Sequence, residues 1–373
     1  MSRTVPAVRV LHVRPAEDAQ SWAAQVAGFI GLHNKGLAHW MVCPEWDVWQ
    51  QSAAKLSKAI KVSQPLGFPH LGGKSGVRAL QALAQAMRSY DLILTYGEGA
   101  LQAALAHALF GPGLGLGPLV HHLDPEGTRS GLWRNWYRMI ALSRASAVIA
   151  PSRAVAEQAL HQWRQPAGKV HYVPHGIDTA ACRTKPKPNA LPRVVKRDGE
   201  LWIGTCGGSG AGLTGLLSAL PSLGDQWQLV VLEQVSHRDA VLAEAMRLEV
   251  GHRVHLPGAV EDIVSVIGLF DLFAVPDGAT DAQTAQVIKQ AMAAGLAVIG
   301  SESAGLRELL SAENAGLIGQ ADALASLTQD PALRREIGDA NRAFAKASFD
   351  LTITTAQQAA IYARALGRGG LSA

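Results

Sequence analysis

At 373 residues, with 48% apolar side chains and a mean hydropathy of +0.09, the chain is too long for one typical domain and rich enough in apolar residues for two cores. A net charge of +4 and a pI near 9.0 are only mildly basic. With no dense Lys/Arg block, a nucleic-acid partner is not expected. The three cysteines, Cys43, Cys182 and Cys206, are odd in number and far apart, which argues against a disulfide framework or a zinc site and fits a reducing cytoplasm.

The N-terminal residues lack the regions of a signal peptide and lead straight into a strand at 8–13. No apolar run reaches the roughly eighteen residues of a membrane span. A polar loop at 14–21, a helix at 22–33 and a strand at 40–43 follow. Next come a loop at 67–76, a helix at 77–87, a strand at 91–95, a helix at 100–109, a glycine-rich loop at 111–117 and a strand at 119–123. Strands alternating with helices of this length predict parallel βαβ units. Arg129, Arg134, Arg138, Arg144, Arg153 and Arg164 then cluster around Trp133, Trp136 and Tyr137. This stretch reads either as a solvated helix face or as a face that meets anionic lipid headgroups.

Between Ala147 and Asp178 the pattern is a buried strand at 147–150, Pro151, an N-cap at Ser152, a helix, a strand at 170–173 and the turn Pro174-His175-Gly176. Residues 179–200 carry Pro186, Pro188 and Pro192 without hydrophobic period and read as an inter-domain crossing. A second βαβ series has strands at 201–205, 228–232, 253–256, 272–275, 297–300 and 316–318, with helices at 240–248 and 284–294. A final helix is expected at 351–366.

The run from Ala147 to Asp178, ending V-P-H-G-I-D, and the stretch A-M-A-A-G-L-A-V-I-G at 291–300 closely resemble signatures of retaining glycosyltransferases of group 1, or family 4. The resemblance extends over nearly the whole chain. It implies an α/β fold of two Rossmann-like parallel-sheet domains facing each other across a cleft, the GT-B type. Residues 1–185 would form an acceptor domain and 186–350 a nucleotide-sugar donor domain. Residues 351–373 would cross back to the first domain. No metal or other cofactor is implied.

In open parallel sheets ligands bind beyond the carboxyl ends of the strands, where loops feed helix N-termini. In the second domain the first such loop is Gly204-Thr205-Cys206-Gly207-Gly208-Ser209-Gly210-Ala211-Gly212. Its glycines allow backbone to approach a diphosphate, which makes Thr205, Gly207, Gly208 and Ser209 donor-site candidates; a plain flexible connection fits as well. Thr205 stands where the resembled family has a diphosphate-binding Arg, and Ala211 where it has a Lys. Asp281, Gln283 and Thr284 precede or open the helix at 284–294. The family's two glutamates fall at Ala282, beside Asp281 and Gln283, and at Gln290, which keeps hydrogen-bonding capacity without charge. Gly305 and Glu308 match the family's G-G-x-x-E turn, and Glu308 could equally serve a helix dipole in its first turn. Arg238 and Lys289 are the cations that could compensate.

In the first domain, His122 and Asp124 lie at a strand's carboxyl end and share a face by alternation. The family places a His at the Asp124 position, beside the reacting sugar, and this pair is the expected catalytic group. Glu17 and Asp18 occupy the acceptor loop, where the family often has two glycines. The implied function is retaining transfer of a sugar from a nucleotide-sugar donor to a glycan or lipid-linked acceptor. The protein would be cytoplasmic, with an anionic membrane surface as a further partner. The alternative is a degenerate glycosyltransferase-like binding or assembly subunit. A sugar-nucleotide epimerase matches in architecture only.

Overall fold

The computed structural model describes the chain outside residues 1–6, 15–19, 34, 45, 48, 52–61, 72–75, 125–130, 207–209, 233–237, 259, 261, 276–280, 321 and 372–373. The chain forms two compact units, one of Met1–Gly176 with Leu351–Ala373, the other of Ile177–Asp350.

The first unit holds β1 (Val8–Val13), β2 (Leu37–Val42), β3 (Val62–Ser63), β4 (Leu92–Tyr96), β5 (Leu119–His122), β6 (Ala147–Ala150) and β7 (Val170–Tyr172). All are parallel, in the order β3-β2-β1-β4-β5-β6-β7. Continuous apolar runs suit strands covered on both faces, and every residue of β4 and β6 is buried. On one face the helices Val77–Met87 and Leu101–Leu114 pack Leu83, Met87 and Leu101 against Leu11, Ile93 and Val148. On the other, Gln20–Leu32 and Leu351–Ala365 bring Trp22, Phe29, Ile361 and Tyr362 against Val10, Leu94 and Val120. Ser152 caps its helix as expected, its hydroxyl oxygen accepting from the Val155 amide at 3.3 Å. The expected loop at 111–117 differs: the helix runs through Pro112 to Leu114 and stops at Gly115, whose φ of +63° is the left-handed C-cap conformation.

The second unit holds β8 (Leu201–Thr205), β9 (Trp227–Val231), β10 (Val254–His255), β11 (Leu272–Val275) and β12 (Ala297–Gly300). The parallel order is β10-β9-β8-β11-β12. Helix Gly210–Ala219 lies on the face of Ile203, Ala274 and Ile299, and helix Ala282–Ala294 on the face of Trp202, Phe273 and Val298. The strand expected at 316–318 is a turn. Leu317 and Ile318 follow the short helix Ala312–Ala315, whose Asn314 clamps both the amide (2.9 Å) and the carbonyl (2.7 Å) of Val298. Those bonds occupy the flank of β12, where a further strand would have to pair.

The Pro-rich segment at 179–200 belongs to the second unit rather than lying between the two. Cys182 and Leu191 join the core around Trp202 and Phe270, and Lys196 Nζ donates to Leu269 O (2.6 Å) and to Asp271 (2.7 Å). The chain leaves the first unit after Gly176, earlier than the boundary at 185 drawn from the sequence.

Both sheets reverse direction at their middle. In the first, β1, β2 and β3 step one way and β4 to β7 the other, so the switch lies between β1 and β4. In the second it lies between β8 and β11. The crevice at the carboxyl ends of such strand pairs is where open α/β sheets bind ligands.

Candidate functional site

At the switch of the first sheet, polar side chains interrupt the apolar strands. Alternation sends His39, His12, Tyr96 and His122 to the face covered by helices Gln20–Leu32 and Leu351–Ala365. His12 Nε2 meets His39 Nδ1 at 3.0 Å, and His12 Nδ1 meets the Tyr96 hydroxyl at 2.9 Å. Tyr362 lies close enough to Tyr96 for each to shift the other's acidity. The Tyr362 hydroxyl then reaches His122 Nε2 at 2.7 Å. His12, His39, Tyr96 and Tyr362 are buried. His122 is partly exposed as a residue, but its ring is stacked on Tyr96 at 4.6 Å and meets Tyr362 edge-on.

Burial disfavours charge on these groups. It holds His12 well below its ordinary range, His39 down to about 4 and His122 down to about 3, with neighbouring histidines adding to the effect at His12 and His122. The three imidazoles are neutral at pH 7. On the opposite face His121 Nδ1 meets the Thr95 hydroxyl at 2.8 Å and is likewise pushed down to about 3 by burial.

His122 and Asp124, expected together, have different partners. The Asp124 carboxylate accepts from the Glu98 amide at 2.9 Å, at the start of the helical stretch that continues through Leu114, and lies 3.5 Å from Arg14 Nη1. Gly97 makes this approach possible: its φ is +70°, and a Cβ there would run into the Asp124 carboxylate. Glu98 in turn receives two bonds from Arg138, at 2.7 and 2.9 Å. Arg138 is only 2% exposed and lies over the Trp163 ring. A buried arginine on an otherwise amphipathic helix was not legible as an anchor.

At the second switch the candidates are sparsely charged. Thr205, at the end of β8, is fully buried and its hydroxyl has no hydrogen-bond partner among the described residues. Its cross-strand neighbour Ala274 lines a cavity of about 450 Å³, bounded also by Gly212, Gly215, Ile299 and Gly319. Gln290 Oε1 is also buried and unpartnered. Asp281 and Thr284 engage each other: the Asp281 carboxylate caps helix Ala282–Ala294, accepting from the Thr284 amide (2.9 Å) and hydroxyl (2.8 Å). Gln283 is exposed beside them.

Gly305 lies inside helix Ala304–Leu309, which Ser303 caps. Glu308 falls in the last turn of that helix, so a first-turn dipole role is ruled out. Its charge opposes the effect of burial on Lys289, which burial brings down to about 8. Lys289 is 4% exposed and lies over the Phe349 ring. Arg238 donates to the Leu256 carbonyl at 2.9 Å. Glu17, Asp18, Gly207, Gly208 and Ser209 lie outside the described residues.

Two parallel sheets, each with a switch-point crevice, fit a pair of family models. One, described as Glycosyltransferase Family 4, matches residues 30–181. The other, described as Glycosyl transferases group 1, matches residues 201–330. The chain belongs to the GT-B glycosyltransferases. No curated protein matches it in sequence.

Among solved structures, a glycosyltransferase from Rickettsia africae ESF-5 shares 15% identity with this GT-B chain, with a TM-score of 0.71 over 97% of this chain and 99% of that one. Anabaena Alr3699/HepE in complex with UDP shares 18%, with a TM-score of 0.67 over 95% and 98%. A UDP-N-acetylglucosamine 2-epimerase shares 13%, with a TM-score of 0.53 over 90% and 91%. These likenesses establish the fold. Among the described residues no helix is long and apolar enough to cross a membrane.

Proposed function

We propose that the protein moves a sugar, with retention, from a nucleotide-sugar donor bound by the second unit to a glycan or lipid-linked acceptor bound by the first. The observation that carries the donor assignment is the pair of buried, unpartnered polar atoms Thr205 Oγ1 and Gln290 Oε1, both at positions where the family contacts the donor. A buried hydroxyl or amide oxygen without a partner costs about 1–3 kcal/mol, and a ligand rich in hydroxyls and phosphate oxygens offers partners. The cavity lined by Ala274, the strand neighbour of Thr205, falls within the roughly 300–1,000 Å³ of small-molecule sites.

Catalysis of this kind works by positioning and charge stabilisation. Here the diphosphate would rest on glycine-loop amides and the dipole of helix Gly210–Ala219 rather than on side-chain cations. Each missing charge-assisted contact weakens binding by about 1.5–3 kcal/mol, so donor affinity is expected in the micromolar to millimolar range. Calorimetric titration with UDP, GDP and their sugars tests this. Binding that Ser209→Asp weakens supports the reading, and silence across the whole panel overturns it.

A second reading, a binding subunit without turnover, is favoured by one observation. Lys289 is buried against Phe349 and Arg238 is bonded to a backbone carbonyl, so neither expected substitute cation is presented as a ready phosphate ligand. Donor binding without transfer to any glycan or lipid-linked acceptor would select it.

The first unit supplies a reason to expect a lipid-borne acceptor at an anionic surface. Leu132, Trp133 and Trp136 are exposed on helix Leu132–Ala141, and the two indoles meet edge to face at 5.9 Å. Arg134 on the same helix and Arg144 just beyond its end are exposed, and no Asp or Glu occurs between Gly127 and Ala156. Interfacial tryptophans with basic neighbours suit phospholipid headgroups. Co-sedimentation with phosphatidylglycerol-containing vesicles should be lost in Trp133→Ser/Trp136→Ser and weakened by salt. No sedimentation at low salt removes this partner.

A further inference from the structure

Asp124 stands just past the end of β5, where an aspartate side chain ordinarily has several rotamers open to it. Here two groups hold it. Its Oδ2 accepts from the Glu98 amide at 2.9 Å, and its Oδ1 lies 3.5 Å from Arg14 Nη1. An ionised carboxylate offers about four acceptor sites. The side chain is 27% exposed, so it keeps capacity for a hydroxyl brought into the crevice.

The Glu98 amide makes the shorter contact, and the chain alone does not fix its direction. Gly97, just before it, has φ +70° and ψ −177°, a region essentially confined to glycine. Glycine admits the Asp124 carboxylate there and also leaves the backbone soft. On the strand side the turn is held by the Gly97 amide, which donates to the His122 carbonyl at 2.8 Å. On the helix side it is held through the Glu98 carboxylate, whose two oxygens accept from Arg138 Nε at 2.7 Å and Nη2 at 2.9 Å. Arg138 also donates from Nη1 to Asn135 Oδ1 at 3.1 Å, and its guanidinium lies 5.1 Å from the centre of the Trp163 ring.

This ion pair is lopsided: the Arg138 side chain is 2% exposed and that of Glu98 45%. A buried charge is rarely the most stable way to fill a core, since an apolar side chain of similar volume is often as good or better. An apolar side chain cannot, however, hold a carboxylate at both oxygens in a rigid fork.

We propose that Arg138, on helix Leu132–Ala141, is a positioning residue: its fork fixes Glu98, and the Glu98 amide sets the Asp124 carboxylate to receive a hydroxyl of a sugar bound at the carboxyl edge of the first sheet. The functional half rests on the acceptor-side reading of that edge. Asp124 is the group that meets the sugar, and Arg138 acts on it only through Glu98.

The test uses the full chain, deuterated and 15N-labelled. The Glu98 amide proton, bonded to a carboxylate, should lie at low field, and Asp124→Asn should move it up-field. Arg138→Met keeps the packing, leaves only the half-exposed Glu98 without its partner, and should move the same proton in the same direction. Combining the two should add little to either alone, because both loosen one bond. An Asp124→Asn displacement of full size in the Arg138→Met background overturns the proposal, whether or not any sugar is transferred. So does a Glu98 amide that does not respond to Asp124→Asn. Arg138→Lys, which keeps the charge without the fork, is the second variant if Arg138→Met does not fold. The same outcome is expected of it in smaller degree, and the same full-size displacement overturns the proposal.

Where transfer is measurable, Arg138→Met should lower kcat by roughly tenfold, the size of one hydrogen bond, with the donor KM unchanged. A lower unfolding midpoint with full kcat in the folded protein is the mark of a merely structural role and overturns the positioning role. Full activity in Asp124→Ala overturns the acceptor-side reading of Asp124 and leaves the link from Arg138 through Glu98 to Asp124 standing.

Discussion

The two switch points occupy equivalent places in their sheets and are built from opposite chemistry. The edge between β1 and β4 is filled with titratable rings bonded to one another, His12 with His39 and Tyr96, and Tyr362 with His122, although the outer His39 Nε2 has no partner among the described residues. The edge between β8 and β11 ends in Thr205 and Ala274, with a hydroxyl that satisfies nothing. Buried polar groups bonded mainly to one another are high-stakes when one of those bonds is broken. A buried polar atom left open is a standing cost that a ligand can relieve. The first edge is thus preorganised by its own side chains, while the second waits for a partner.

Acid should break the comparison most visibly. In the first unit His12, His39, His121 and His122 all have folded values below the ordinary value near 6.5, held there chiefly by burial. The groups acting on the cluster from outside include His121 and His175 on His122 and Arg14 on Tyr96, none of which is negatively charged at this pH to welcome an imidazolium. The unfolded chain therefore binds more protons than the folded one once pH drops below about 6.5. Stability is full above that value and is lost as pH falls toward the folded values of about 3 to 4. Each histidine contributes a slope of up to about 1.4 kcal/mol per pH unit.

In the second unit the comparable group is Lys289, brought down to about 8. Its effect is confined to higher pH: stability is lost as pH falls from about 10.4 to about 8, and nothing more is lost below. Hydrogen exchange followed by peptide mass spectrometry should show the strands β1, β4 and β5 losing protection between pH 6 and 4, before β8 and β11. Simultaneous loss in both sheets would show that the histidine chain is not what sets acid stability.

Much of this architecture was legible in the sequence, for physical reasons that also explain the failures. Strands β6, β8, β11 and β12 fall where short apolar runs end in Pro, Gly or small polar residues, because a strand buried on both faces leaves a continuous signature. The residues Gly316-Leu317-Ile318 carry the same signature, but Asn314 had already claimed the β12 backbone. The glycines at 111–117 suggested a loop, yet only Gly115 needs a positive φ, and the helix continues to it.

The site was less legible. His122 was found because it sits at a strand end, and Asp124 because it matches a family position. Tyr362, Tyr96, His39 and His12 were missed, being separated by long stretches of chain. A signal was present: His12 and His39 interrupt the apolar runs V-R-V-L-H-V and L-A-H-W-M-V of adjacent strands. Polar residues at such positions have to find one another. In the second unit Asp281 and Thr284 look like ligand groups in sequence and turn out to satisfy a helix end, a role that consumes the same hydrogen-bonding capacity.

A smaller effect sharpens the comparison at the second edge through its sign. Thr205→Val removes the unpartnered hydroxyl and keeps the branched shape, at a site that is fully buried between β9 and β11. With no hydrogen bond to lose, the substitution removes a desolvation cost, so the ligand-free protein should gain about 1 kcal/mol in chemical denaturation. The donor complex should lose what the free protein gains, with nucleotide-sugar affinity falling by roughly fivefold to tenfold. Tyr362→Phe at the first edge should move stability the other way, since it removes the hydrogen bond to His122 Nε2. If Thr205→Val destabilises the free protein instead, the hydroxyl already has a partner. The second edge would then be as closed as the first, and the donor would have to be recognised by the backbone of the glycine loop alone.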